Sequence, residues 1–392
     1  MVVILHALVF LLFLLQYKYN VALATSAADC HERCEQSSGS LSSPGNIYHA
    51  MQGHSFKNFT LKKPFDCHLK CFDENCKCQA YQMQADRCEL LDEDRFSAPD
   101  DFLPASSGYT YFDMHREFVN QVSWTAHCGS GPCKNKCCTQ SPCYNEGTCT
   151  EICDHPKRKF NCTCSPKYIG RLCNKERSKS CKEQIQRNRR SLSGVYQLFD
   201  AETNSLFDEY CDFTSEDGFF WSLIESFSLA NKDEIRRKPF FKDYPVNQDN
   251  FDWNRFRLSK SRMNITAIQS SHLRVTCNFN IDGLNYTDYL RARLSEIDII
   301  NLKSIGCKEH EYINIRGYGC YNCTTHFHQG RNFHAHIDSY NTPREECNAY
   351  FPDSVAEGGG EDNFGLYDAV NPLHRCSSNG NSTTQWWVGS RY

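Results

Sequence analysis

The sequence predicts a multidomain, disulfide-rich protein in which α+β modules and a small β module follow one another, and three observations predict it. The chain carries 25 cysteines in 392 residues. From Cys138 to Cys173 they fall as C-x4-C-x5-C-x12-C-x-C-x8-C, in a segment too short to bury a core that offsets its chain entropy without covalent constraint. At the amino end Val2 to Leu15 is apolar except for His6 and leads to Ala22-Leu23-Ala24, the pattern of a secretory leader.

That leader is expected to span residues 1–24 and to be removed after Ala24. The apolar run is shorter than the ~20 residues a membrane-spanning helix needs, and no second run follows, so no membrane span is expected in the mature chain. The closing Gln385-Trp386-Trp387-Val388-Gly389-Ser390-Arg391-Tyr392 is not a lipid-anchor tail. Secretion sets an oxidising compartment, which favours disulfides over the zinc sites that close cysteine pairs also suit. Six N-x-S/T sequons, at Asn58, Asn161, Asn264, Asn285, Asn322 and Asn381, fit the same address as glycan acceptors.

Composition is that of folded material, 40% hydrophobic and 13% aromatic. With 43 basic and 47 acidic residues the formal net charge is −4, so neither the basic face of a nucleic-acid binder nor the acidic excess of a bulk mineral binder is present.

The cysteines divide into seven between Cys30 and Cys88, ten between Cys128 and Cys173, and eight between Cys181 and Cys376. The first group is odd, which leaves a free thiol, a bridge to a neighbouring module, or a bridge to a second chain in a disulfide-linked oligomer. In that group Cys67 and Cys71 stand four apart, on one face of a helix, followed by Cys76-Lys77-Cys78-Gln79-Ala80-Tyr81 and Cys88-Glu89-Leu90-Leu91. Residues 25–118 resemble the PAN or apple domain, an α+β fold in which a helix is stapled to an antiparallel sheet. The resemblance implies Cys67 with Cys88 and Cys71 with Cys78, with Cys76 as an extra, and a role in protein or carbohydrate contact.

Residues 125–176, holding the spacing given above with Gly147 and Tyr168-Ile169-Gly170, resemble the EGF-like domain, a small β fold. The resemblance implies the pairs Cys138 with Cys149, Cys143 with Cys162, and Cys164 with Cys173. Gly147 and Gly170 are expected in turns at positive φ. The Lys134-Asn135-Lys136 run before the core lacks the acidic ligands of calcium-binding members. Cys143 to Cys149 matches the family's O-fucose acceptor pattern at Thr148.

The third region, 178–392, opens with Ser180-Cys181-Lys182-Glu183, Tyr210-Cys211-Asp212 and Asp217-Gly218-Phe219-Phe220-Trp221. It resembles a divergent fibrinogen-like domain, an α+β fold, and the resemblance implies Cys181 with Cys211. The aspartate-rich calcium loop of ordinary members is not found, so lectin activity by that route is not implied. The ending, with Arg316-Gly317-Tyr318-Gly319-Cys320-Tyr321-Asn322-Cys323 and Thr384-Gln385-Trp386-Trp387, joined to the two preceding modules, is similar to secreted cnidarian proteins, among them skeletal organic matrix proteins of stony corals.

Three local features invite chemistry. Cys320 and Cys323 with His326, His328, His334 and His336 have metal-compatible spacing, weighed against a disulfide followed by surface histidines, which is the reading preferred. Arg187-Asn188-Arg189-Arg190 has the form of a processing site inside the Cys181 to Cys211 loop, with basic surface as the preferred reading. Glu357-Gly358-Gly359-Gly360-Glu361-Asp362 reads as an acidic turn. No H-E-x-x-H, G-x-S-x-G or phosphate-binding glycine loop occurs. The expected function is that of a secreted, non-catalytic matrix or adhesion protein without a cofactor, whose partners are extracellular matrix proteins or glycans. A soluble lectin-like protein is the alternative.

Overall fold

The structure, a computed structural model, describes residues 45–74, 77–104, 108–114, 137–139, 141–152, 160–301, 304–338, 347–349, 351 and 363–392. The leader, Cys30, Cys34, Cys76, Cys128, Cys133, Cys153, the Lys134–Lys136 run and the acidic glycine turn lie outside the described residues. The chain divides into two compact units, Met1–Arg177 and Ser178–Tyr392. Both are mostly β-sheet with few helices and many disulfides.

In the first unit, β1 (Asn46–Ile47), β2 (His49–Met51) and β3 (Ser55–Thr60) precede helix α1 (Pro64–Asp73). Pro64 opens the helix where no amide donor is needed, and Asp66 and Lys70 complement the two ends of its dipole. Cys67 and Cys71 lie on the buried face. β4 (Ala80–Gln84), β5 (Arg87–Leu91), β6 (Phe102–Pro104) and β7 (Tyr109–Asp113) follow. The main sheet has the order β1-β7-β4-β5-β3, all antiparallel, and β2 pairs with β6. The helix is covalently fixed to the sheet by Cys67–Cys88, and Cys71–Cys78 closes the loop that leaves it. Tyr81, Met83 and Leu90 complete the core beneath it, with Tyr81 stacked on Phe112 at 4.8 Å.

The cysteine-dense segment adds two hairpins, β8 (Thr148–Glu151) with β9 (Phe160–Thr163) and β10 (Tyr168–Ile169) with β11 (Lys175–Glu176). Its bonds are Cys138–Cys149, Cys143–Cys162 and Cys164–Cys173, packed around Phe160 and Leu172. Gly170 has φ +96°, a turn conformation that side chains disfavour. Gly147 differs from expectation: positive φ falls on Asn145 and Glu146 instead, and the glycine is there for space, since a Cβ would lie 2.8 Å from Cys173 Sγ. This segment docks on the first sheet. Arg171 donates from Nη1 to the carbonyls of Lys77 (2.8 Å) and Asp92 (3.0 Å), and Phe56 packs against both cores.

The second unit opens with α2 (Cys181–Arg187). Ser180 caps it, accepting from the Glu183 amide, while Glu183 accepts in return from the Lys179 amide. Then come β12 (Gly194–Asp200), β13 (Ser205–Asp212), β14 (Phe219–Ser228), α3 (Lys232–Ile235), β15 (Arg255–Arg257) and α4 (Lys260–Ile268). β16 (His272–Cys277), α5 (Phe279–Asp282), β17 (Tyr289–Arg293), β18 (Ser304–Ile315), β19 (Tyr318–Gly330), β20 (Phe333–Ile337) and β21 (Thr383–Arg391) complete it. One antiparallel sheet runs β12-β13-β14-β21-β16-β17-β18-β19-β20, with β15 beside β14. The last strand is therefore central. All ten residues of β14 are buried, as a strand covered on both faces requires, and Trp221, Trp386 and Trp387 are fully buried with it. β18 and β19 form a long hairpin turned at Arg316-Gly317, both at positive φ. Four disulfides close within this unit: Cys181–Cys211, Cys277–Cys376, Cys307–Cys347 and Cys320–Cys323.

Candidate functional site

A pocket of about 430 Å³ opens on the second unit, lined by side chains from β14, β16, β17, β18, β19 and β21. Phe219 forms part of its wall, with the guanidinium of Arg391 over the ring at 5.3 Å and that of Arg291 at 5.6 Å. Tyr321, 75% exposed, rests on Tyr312 with ring centroids 4.5 Å apart. The planar guanidinium groups and the exposed ring give the pocket flat faces and fixed donors, and Glu309 and Glu311 give it carboxylate acceptors.

The charged groups are held by a chain of ion pairs leading out of the core. Asp212 pairs with Arg274 at 2.6 Å, and Arg274 lies 4.6 Å from the rings of both Trp221 and Trp387. Arg274 reaches Glu216, which pairs with Arg291, and Arg291 Nε meets Glu311 at 2.9 Å. Glu311 also accepts from Arg293 at 3.2 Å and lies 3.3 Å from His272 Nε2. Burial works to raise the Glu311 carboxyl, but Arg293, His272 and Arg291 outweigh it and hold it below its ordinary value. Burial pulls His272 down and Arg291 and Arg293 add to that, against the pull of Glu311.

Ser271 Oγ lies 2.7 Å from His272 Nδ1, so hydroxyl, imidazole and carboxylate stand in series. The series is poorly arranged for nucleophilic catalysis. Glu311 is shared among two arginines and the histidine, the depressed imidazole is a weak base, and the hydroxyl is also shared with Ser390 at 3.0 Å.

The metal alternative fails in its ligands. Cys320 and Cys323 are bonded to each other, so neither offers a thiolate. His334 is fully buried against Phe240 and Trp386 with Nε2 2.6 Å from Glu225. His336 instead stacks on His328 at 5.1 Å, and burial pushes its imidazole down to about 3. A register shift between His328 and Gly330 breaks the strand alternation that would align the four histidines, and His326 lies 3.6 Å from Asp338. Among the described residues, Cys277, His374 and Cys376 do converge, but those two sulfurs are joined.

Every described cysteine is bonded, and Cys137 has its partner outside the described residues. With 25 in all, the odd cysteine is one of the six outside the described residues. Five sequon asparagines, Asn58, Asn161, Asn285, Asn322 and Asn381, are exposed, and Asn322 lines the pocket. Asn264 is half-buried in α4, with Oδ1 buried and without a hydrogen-bond partner. The pocket was not foreseen. Its signal in the sequence is the alternation Arg291-Ala292-Arg293 and Glu309-His310-Glu311, in which the middle residue is buried and the flanking ones reach the pocket.

The fold and pocket together define a mostly β, disulfide-closed chain with a charged, aromatic-walled recess. No protein-family model matches the chain, and no curated protein is similar to it. Among the described residues no helix is long and apolar enough to cross a membrane.

Proposed function

We propose that the chain is a secreted, non-catalytic extracellular matrix protein acting in adhesion, of the kind found in the organic matrix of calcified skeletons. The observation that carries this reading is the complete oxidation of the described cysteines in both units, a state that secreted modules reach and maintain. The modules would be apple-like and EGF-like in the first unit and divergent fibrinogen-like in the second. Contacts of modest strength on separate units of one chain sum through effective concentration.

A lectin-like reading has its own support in the pocket. Arginine and carboxylate side chains fixed by mutual ion pairs, beside an exposed tyrosine, suit the hydroxyls and flat face of a sugar. Antibody localisation in tissue tests the first reading: signal in extracellular matrix is expected, and signal confined inside cells overturns it. A glycan array probed with the full chain separates the two, since saturable binding to one sugar class favours the lectin.

A further inference from the structure

We infer that the chain is cut after Arg190 by a basic-residue-specific endoprotease of the secretory route, giving two chains joined by Cys181–Cys211. The inference rests on the secreted reading. Arg187, Arg189 and Arg190 occupy the fourth, second and first positions before the bond, the arrangement that carboxylate-lined subsites of such proteases pair with guanidinium groups. In the structure α2 ends at Arg187, and Asn188 turns extended at φ −135°, ψ 100°. Residues 186–190 are all exposed, and Leu192, beyond the bond, is 73% exposed.

The segment from Asn188 to Ser193 belongs to no helix or strand, so cutting it interrupts no ladder of the sheet. Around the bond, Arg190 and Ser191 donate from their amides to Asn188, Gln184 donates to the Ser191 hydroxyl at 3.1 Å, and Tyr196 donates to the Leu192 carbonyl at 2.6 Å. Arg187 is paired with Glu183, Arg189 lies 5.5 Å from the Tyr392 ring, and at the far end Ser193 donates to Asp212 and accepts from the Phe213 and Thr214 amides. Ser191 itself is buried, so the protease takes the segment after a local opening of these few bonds. The other arginine pair among the described residues, Arg236-Arg237, has Glu234 at the fourth position, where Arg187 stands at this site.

Hydrolysis adds water across the Arg190–Ser191 amide, leaving a carboxylate on Arg190 and an ammonium group on Ser191. Cys181 and Cys211 lie on opposite sides of the cut, so their disulfide becomes the covalent link between the described parts, aided by the buried Ile185 of α2. The link between the two units thereby becomes reducible.

The test is expression of the full chain in secretory animal cells, with medium collected, N-glycans removed and gels run with and without reductant. Two fragments are expected only after reduction, the C-terminal one beginning at Ser191, and Arg190→Ala is expected to give one band in both lanes. A single full-length band from secreted, reduced wild-type protein overturns the inference, as does a C-terminal fragment that begins at a residue other than Ser191. If no protein reaches the medium, the secreted reading fails separately. Purified chain incubated with an isolated protease of this class then decides cleavage: an intact Arg190–Ser191 bond overturns the inference.

Discussion

Glu225 and Arg257 meet at 2.8 Å with neither side chain reaching solvent. A bulge on β14 between Leu223 and Glu225 presents the carboxylate, and its other oxygen lies 2.6 Å from His334 Nε2. The other Nη donors of Arg257 go to the carbonyls of Lys238, Pro239 and Lys242, so the pair fastens an otherwise irregular segment to the sheet, while its Nε is buried without a hydrogen-bond partner. Replacing one partner leaves the other buried without its opposite charge, Arg257 keeping only carbonyls and Glu225 only His334. Glu225→Ala and Arg257→Ala are each expected to destabilise the second unit by about 3–5 kcal/mol. Denaturant unfolding followed by tryptophan fluorescence reads this, and a loss below about 1 kcal/mol would show that the pair is not structural.

A second buried carboxyl lacks such a partner. Glu209 is fully buried beside the Cys181–Cys211 bond; Oε1 lies 3.4 Å from Cys181 Sγ, a sulfur with no proton to give, and Oε2 has no hydrogen-bond partner. Burial raises its pKa from 4.5 to about 7, with Ser222 and Arg262 offsetting only part of the effect. Between these values the unfolded chain releases the proton and the folded chain keeps it, so stability falls as pH rises through that window and is level above it. The expected fall is about 3 kcal/mol, and Glu209→Gln removes the slope. Parallel stability–pH profiles for wild type and variant would contradict this.

The disulfide-rich character was legible because cysteine spacing is local: Cys67 and Cys71, four apart, do share the buried face of α1. What was not legible depends on pairing across long separations. β21 lies between β14 and β16, so Trp386 meets Glu225 and Val275 across the sheet, and nothing in the local pattern of Thr383 to Arg391 names those neighbours. The pocket draws on six strands for the same reason. At the histidine cluster the Cys320–Cys323 bond of the preferred reading is present, but His334 and His336 are buried where surface histidines were expected, and the irregularity at His328 to Gly330 separates the two.

His54 in the first unit gives a pH dependence of opposite origin. Its Nδ1 lies 3.2 Å from Asp92 and its Nε2 2.8 Å from Asp101. Burial pulls its pKa down, but hydrogen bonds to Asp92 and Asp101 outweigh burial and the nearby Lys175, so the net shift is upward from 6.5. The stabilisation is full below the unfolded value and is lost as pH rises through the folded one. His54→Asn is expected to flatten that loss. Imidazole titration by NMR checks the cause, and a His54 midpoint below 6.5 would contradict it.

The pocket separates binding from stability by how each side chain is held. Tyr321 and Arg391 are exposed, so Tyr321→Ala and Arg391→Ala are expected to leave unfolding within about 0.5 kcal/mol of wild type. Each should nevertheless weaken binding to extracted matrix or to an array-selected glycan by about tenfold, the scale of one lost aromatic or guanidinium contact. Arg291→Ala should lower both, because it breaks the series from Asp212 through Arg274 and Glu216 to Glu311 at its middle. Asn322→Gln should strengthen binding if the sequon is occupied, since a glycan attached there would stand at the pocket wall. Interferometry with the full chain measures all four. Wild-type affinity in both Tyr321→Ala and Arg391→Ala would move the binding surface away from this pocket.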